Sequence, residues 1–378
     1  MIQPAHGGNL VWAARLVGCS PSAILDFSAS ISPLGPPHSI LTAIKSQLAN
    51  IKNYPDPSYS ELRLALSHFH KLHPDWILPG NGSAELLTLL GREFAELTGT
   101  ILITPAFGDY YRTLKSYNAN FQEICLFEEN EKVKSKSRRG KGEKDIYLIS
   151  TPMGQQAKLP HSINTHTCGL LINNPHNPTG GLFMRETIIP CLEKFSLVVI
   201  DEAFMNFLCP EEEQSLISWV HKYPNLVILR SLTKFYSLPG LRLGYAITNP
   251  QRLKRWGLWR DPWPVNTLAE VAGIKAIQDI HFQEKTWAWL KPTKWELFQG
   301  LEGIDGLQPL PSTTNFLLVK SQFSVAKLQF QLLQQHQILI RDCLSFPQLG
   351  DHFFRVAVRR SGDNNYLLSA LRQIMHTL

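Results

Sequence analysis

Cysteine is sparse and scattered in this chain. The six cysteines (Cys19, Cys125, Cys168, Cys191, Cys209 and Cys343) among 378 residues form no Cys-x-x-Cys pair. That spacing argues against a disulfide framework and a zinc site; it implies a reducing, cytoplasmic setting and no metal. No apolar run approaches the roughly 18 residues of a membrane span, and the first residues carry no apolar signal core. The chain therefore reads as soluble and unexported. No internal repeat is present, which argues against a repeat architecture. The turn Gly80-Asn81-Gly82 lacks the third glycine of a dinucleotide fingerprint.

The net charge of +6 is almost entirely local. From Glu131 to Lys144 stand seven basic residues (Lys132, Lys134, Lys136, Arg138, Arg139, Lys141, Lys144) against two glutamates, an excess of +5. Interleaved with Ser and Gly and free of aromatics, the stretch reads as a solvated, flexible loop between strands. Neither a nucleic acid nor a membrane is expected as a partner. Trp256, Trp259 and Trp263 fit helix packing and a subunit interface better than a ligand stripe. With 44% hydrophobic residues, the chain can bury a large core in two lobes.

Three motifs carry chemistry. Arg230-Ser231-Leu232-Thr233-Lys234-Phe235-Tyr236 places a lysine on a hydroxyl-rich turn, and Arg242 follows eight residues later. A lysine amine condenses with an aldehyde, and an arginine with two hydroxyls holds a phosphate. Aldehyde plus phosphate describes pyridoxal 5'-phosphate. Upstream, Leu197-Val198-Val199-Ile200-Asp201 reads as a buried parallel strand ending in a carboxylate. Further upstream, Leu170-Leu171-Ile172-Asn173-Asn174-Pro175-His176-Asn177-Pro178-Thr179-Gly180 reads as a strand entering a turn that presents the Asn177 amide. Singly, each could be a surface lysine, a helix-capping aspartate or an ordinary turn; their order and spacing argue for one site.

In these motifs the chain resembles the fold-type I pyridoxal-phosphate enzymes of aminotransferase class I/II. The resemblance implies an α/β fold, with a mostly parallel sheet in a large domain and a smaller α/β domain. It makes Lys234 the Schiff-base lysine, Asp201 the partner of the pyridine nitrogen and Asn177 the partner of the phenolic oxygen. Ser231, Thr233 and Arg242 match the phosphate cup. Ser83 and Ala84, after Gly80-Asn81-Gly82, match amides that receive the same phosphate at a helix N-terminus. Tyr110 matches the aromatic residue stacked on the cofactor, and Tyr54 a tyrosine lent by the neighbouring subunit, which implies a homodimer.

The two ends of the chain resemble the threonine-phosphate decarboxylase family of cobalamin biosynthesis, near kin of histidinol-phosphate aminotransferase. His6-Gly7-Gly8-Asn9, Asp26-Phe27-Ser28-Ala29-Ser30-Ile31-Ser32-Pro33 and Asp75-Trp76-Ile77-Leu78-Pro79-Gly80 carry the likeness, apart from a stretch around 128–145. It implies decarboxylation of a small phosphorylated amino acid, O-phospho-L-threonine, to (R)-1-amino-2-propanol phosphate. His6, Ser30, Arg341 and Arg355 then bind substrate, while Arg359 is a neighbour or a surface charge. Ser30 stands where the pattern often has asparagine. Phe204 stands where many aminotransferases have a tyrosine, a decarboxylase-like choice. Histidinol-phosphate aminotransferase is the alternative enzyme, and a non-catalytic scaffold the alternative outside catalysis.

Strands are predicted at 101–104, 146–151, 169–173, 197–200, 226–229 and 241–248. The domain expectation is an N-terminal arm with part of the small domain (1–45), a large cofactor-binding domain (46–264) and a small C-terminal domain (265–378).

Overall fold

The computed structural model describes residues 7–126, 147–150, 156–158 and 163–375. His6 and the basic stretch 131–144 lie outside the described residues. At its centre is a seven-stranded sheet: β1 (Ile77–Asn81), β2 (Gly99–Thr104), β3 (Phe121–Cys125), β4 (Cys168–Asn173), β5 (Leu197–Asp201), β6 (Leu226–Ser231) and β7 (Leu243–Thr248), in the order β1-β7-β6-β5-β4-β2-β3. Strands β2 to β6 run parallel, while β7 is antiparallel to both of its neighbours. The mostly parallel α/β fold expected from the motifs is the one observed. Strands β4 to β7 are buried along their whole length, as near-continuous Val/Leu/Ile runs require when both faces of a sheet are covered.

Strand periodicity decides which side chains reach the site. Leu102, Leu171, Val199, Val227 and Leu229 join one core cluster with the helices α1 (Ser83–Ala95) and α2 (Gly108–Ser116). Ile101, Ile103, Leu170, Ile172, Val198, Ile200 and Ile228 face the opposite core. Asn173, Asp201 and Ser231 are in phase with the first set, so three adjacent strands turn polar ends toward α1 and α2. Glu202 and Arg230 fall in the opposite phase and pair, Arg230 Nε to Glu202 Oε2 at 2.8 Å.

Three expectations need correction. The run predicted at 146–151 forms Tyr147–Ser150, which pairs antiparallel with Gln156–Lys158 in a separate two-stranded ladder. Strands β1 and β3 were not predicted. Strand β1 carries Pro79 and Gly80, which read as a turn; an edge position, bonded to β7 alone, tolerates the missing proline donor. Strand β7 begins at Leu243 because Pro239–Leu241 forms a 3-10 turn and Arg242 takes φ 56°.

A second, antiparallel sheet joins β8 (Leu307–Pro309), β9 (Phe316–Ser321), β10 (Arg341–Asp342) and β11 (Phe353–Ala357) in the order β8-β9-β11-β10. The N-terminal segment attaches to this part of the chain. Leu25 and Asp26 pair in parallel with Ile338 and Leu339, and Ala357 donates its N–H to the Phe27 carbonyl at 2.9 Å. Among the described residues no helix is long and apolar enough to cross a membrane.

Candidate active site

The carboxyl ends of β4, β5 and β6 open into a cavity of about 220 Å³. Asn173 organises its floor. Its Nδ2 donates to the Asp201 carbonyl and its Oδ1 accepts from Asn177 N, both at 2.7 Å. One amide therefore ties β4 to β5 and folds the turn that carries Asn177. Asn174 secures the far side of that turn through a reciprocal pair with the Phe183 backbone, at 3.0 and 2.9 Å.

Asp201 is buried, and burial pushes its carboxyl up from the usual range. The Tyr110 hydroxyl at 2.8 Å, the Ala203 N–H at 3.0 Å and the charge of Lys234 act against that rise. A buried carboxylate held by two neutral donors still gains from a cation placed against it. Lys234 sits on the turn after β6. Burial draws its amine down to about 8, helped by Arg242 and Arg355 and opposed by Asp201 and Asp109. A larger share of free amine near neutral pH suits it to capture an aldehyde.

A third cluster closes one end of the cavity. Helix α1 begins after Gly82, whose φ of 73° favours glycine, and no side chain caps its first turn. A Cβ at Gly82 would stand 2.6 Å from Arg242 Nη2, and a Cβ at Gly244 would stand 2.7 Å from Ser83 N. The two glycines let the arginine and a sheet strand close on the helix end. Ser83, Ala84, Ser231, Thr233 and Arg242 all line this part of the site. Open amides, hydroxyls and a guanidinium form a donor set for a phosphate dianion. Phosphate donors, a lysine with lowered basicity and a buried carboxylate in one cavity fit pyridoxal phosphate.

The remaining wall comes from the antiparallel sheet and the N-terminal segment. Ser30, Arg341 and Arg355 line the cavity and are buried. Among the described residues the Ser30 hydroxyl and Arg355 Nε have no hydrogen-bond partner. Arg355 Nη1 donates to Asn177 Oδ1, and Nη2 reaches the Ser28 carbonyl at 3.4 Å. Arg341 donates to Ser345 Oγ and lies 3.6 Å from Asp342. Burial draws the Arg355 guanidinium down to about 10, as does neighbouring Arg341.

Among the described residues, every site residue proposed from sequence lines this cavity except Tyr54. His6 is outside the described residues. Tyr54 is 78% exposed and stacks on Trp263, ring centroids 4.4 Å apart. Arg359 lies outside the cavity, bonded to Asp363 at 3.0 Å and to the Asp26 carbonyl at 3.1 Å. Of the two tryptophans that form a sequence stripe with Trp263, Trp256 is buried with Nε1 donating to Glu93 at 2.6 Å, while Trp259 lies against Arg92 and Arg255. Sequence reasoning missed Asn173, Asp109, Ser345 and Phe346. Asn173 carried a usable signal, as the polar end of a buried strand just before Asn177. Ser345 and Phe346 carried none. Among the described residues no His/Cys/Asp/Glu group could hold a metal.

Comparison with known proteins bears on this geometry. Residues 22–374 match the family described as aminotransferase class I and II. The threonine-phosphate decarboxylase of Salmonella typhimurium is 34% identical over 380 residues, covering 99% of this chain and 98% of its own length. The adenosylcobalamin biosynthesis bifunctional protein of Leptospira interrogans is 29% identical over 377 residues, spanning 99% of this chain and 41% of the longer protein. Among solved structures, histidinol-phosphate aminotransferase from Clostridium acetobutylicum superposes with a TM-score of 0.79 at 28% identity, covering 94% of this chain and all of that one.

Proposed function

The chain belongs to aminotransferase class I and II, and we propose that it is a pyridoxal-phosphate-dependent threonine-phosphate decarboxylase. Its reaction releases carbon dioxide from O-phospho-L-threonine and leaves (R)-1-amino-2-propanol phosphate, the linker of the cobalamin nucleotide loop. The observation that carries this reading is the second anion site. Arg355 is buried with no carboxylate within 4 Å among the described residues, and it shares a wall with Arg341 and the unpaired Ser30 hydroxyl. A buried, uncompensated guanidinium calls for an anionic ligand. This wall is distinct from the phosphate donors at α1, so the ligand it awaits is the substrate.

Bound here, pyridoxal phosphate supplies an electron sink that stabilises a carbanion at the substrate α-carbon. Arg341 and Arg355 hold the substrate's phosphate and carboxylate, and they orient the bond from α-carbon to carboxylate for cleavage. Asp201 keeps its negative charge against the pyridine nitrogen, supported by Tyr110 and the Ala203 N–H. Lys234 Nζ returns a proton to the α-carbon once carbon dioxide has left. Phe204 adds no hydroxyl beside Asn177, which fits the decarboxylase better than an aminotransferase.

The protein works as a homodimer in which Tyr54 reaches the partner's phosphate cup; its exposure and its stacking on Trp263 fit a surface awaiting a second copy. The working unit is a large domain of residues 46–264 and a small one of 265–378, with residues 1–45 as its arm. Six free cysteines accord with a cytoplasmic setting.

The deciding experiment gives cofactor-loaded protein O-phospho-L-threonine without any keto acid and follows carbon dioxide and the amine. Turnover that is lost in Lys234→Ala is the expected result. No carbon dioxide, with glutamate formed from histidinol phosphate and 2-oxoglutarate, would replace this reading with the aminotransferase.

A further inference from the structure

Phe316 opens β9 opposite Ala357 of β11, and two residues on, Leu318 stands opposite Arg355. Side chains alternate between faces, so Phe316 and Arg355 share one face as diagonal neighbours across the small Ala357. The Arg355 guanidinium carbon lies 4.8 Å from the Phe316 ring centroid. The same ring meets Phe204 edge-to-face, at 5.1 Å and 79°. Both rings are buried, and Phe204 follows closely after Asp201. A pair of packed aromatics thus connects the strand that ends in the buried carboxylate with the arginine on the other sheet.

The remaining supports of Arg355 are few. Nη1 bonds Asn177, Nη2 makes a long contact with the Ser28 carbonyl, and Nε has no partner among the described residues. With no carboxylate within 4 Å among the described residues, the guanidinium takes its direction from Asn177 and from the face of Phe316. A cation over an aromatic face is attracted electrostatically, and more strongly when both are out of water.

We propose that Phe316 is a positioning residue for the substrate anion: it sets the direction of Arg355 and thereby which bond at the substrate α-carbon is presented for cleavage. The inference rests on the decarboxylase reading above. With Arg355 held, the bond to the carboxylate breaks; its electron pair stays with the α-carbon, carbon dioxide leaves, and a proton takes its place. With Arg355 displaced, the substrate turns and the α-hydrogen is lost as a proton and regained from solvent.

The test compares wild type, Phe316→Leu and Phe316→Tyr, cofactor-loaded, with O-phospho-L-threonine in deuterium oxide. Both carbon dioxide and deuterium at the α-carbon of unreacted substrate are measured. Wild type and Phe316→Tyr should release carbon dioxide with little exchange, whereas Phe316→Leu should raise the exchange-to-release ratio about 30-fold, the scale of a desolvated cation–aromatic contact. An unchanged ratio in Phe316→Leu overturns the inference. Should that variant fail to fold, Ala357→Val crowds the ring from the facing strand and is read the same way. Should wild type release no carbon dioxide, the decarboxylase reading fails, and calorimetry of O-phospho-L-threonine on cofactor-free protein decides the role of Phe316. There Phe316→Leu should weaken binding about 30-fold and Phe316→Tyr should not; equal affinities overturn the inference.

Discussion

Arg355 donates a hydrogen bond from Nη1 to Oδ1 of Asn177, joining β11 of the antiparallel sheet to the turn after β4 of the large one. Asn177 is in turn held by Asn173, which also holds the Asp201 strand. The proposed substrate arginine and the proposed cofactor aspartate are therefore linked through two asparagine side chains and the backbone between them.

Replacing Arg355 with lysine keeps the charge and loses the fork. Lysine offers a point charge and cannot hold both Asn177 and a substrate oxygen in one plane. A fall of about 10- to 100-fold in kcat/KM is expected, shared between KM and kcat because the fork both binds the substrate and orients the bond to be cleaved. Steady-state kinetics on O-phospho-L-threonine checks it, and wild-type values would rule out a substrate contact.

Stability of the cofactor-free protein should carry the signature of Lys234. Its folded value of about 8 lies below the ordinary 10.5. Between these pH values the unfolded chain holds a proton that the folded protein has released, so stability rises with pH across that window. Urea unfolding at a series of pH values should show this slope in wild type and a weaker one in Lys234→Met. Identical slopes would refute the assignment.

Gly244→Ala tests the phosphate end. The added carbon would stand 2.7 Å from Ser83 N and 2.8 Å from the Arg230 carbonyl, both backbone atoms that cannot swing away. A loss of about 1–3 kcal/mol in stability is expected from the overpacking, together with weaker binding of pyridoxal phosphate. Urea melts and cofactor titration measure the two effects separately.

Tyr110→Phe removes the hydroxyl that donates to Asp201 Oδ2. The buried carboxylate then loses one of its neutral donors, at a cost of about 1–3 kcal/mol in the cofactor-free protein. Added pyridoxal phosphate should recover part of that loss if its pyridine nitrogen meets the same carboxylate. Thermal unfolding with and without cofactor gives both numbers, and a loss that cofactor leaves untouched would count against the pairing.

Subunit sharing predicts complementation. Lys234→Ala and Tyr54→Ala should each be impaired alone, with Lys234→Ala inactive. After unfolding and refolding together, mixed dimers hold one site with both residues intact, and activity should return. No recovery, with dimers confirmed by light scattering, would place Tyr54 outside the partner's site.

Lys234, Asp201 and Asn177 were legible in the sequence because each follows or ends a short apolar strand, and a polar residue at such a break is a local signal. The burial of strand β5 was legible for the same reason. Strand β1 was not, since Pro79 and Gly80 have turn chemistry and only an edge position accommodates them. Nor were Ser345 and Phe346, or the seat of Arg355 between Phe316 and Asn177. Sequence alone thus determined which groups are candidates for the chemistry and their order along the chain, because backbone periodicity links a residue to its near neighbours. The tertiary structure alone decided which groups face one another, because Arg355 and Asn177 meet across a sequence separation of 178, where no local pattern acts and the packing of two sheets sets the distance.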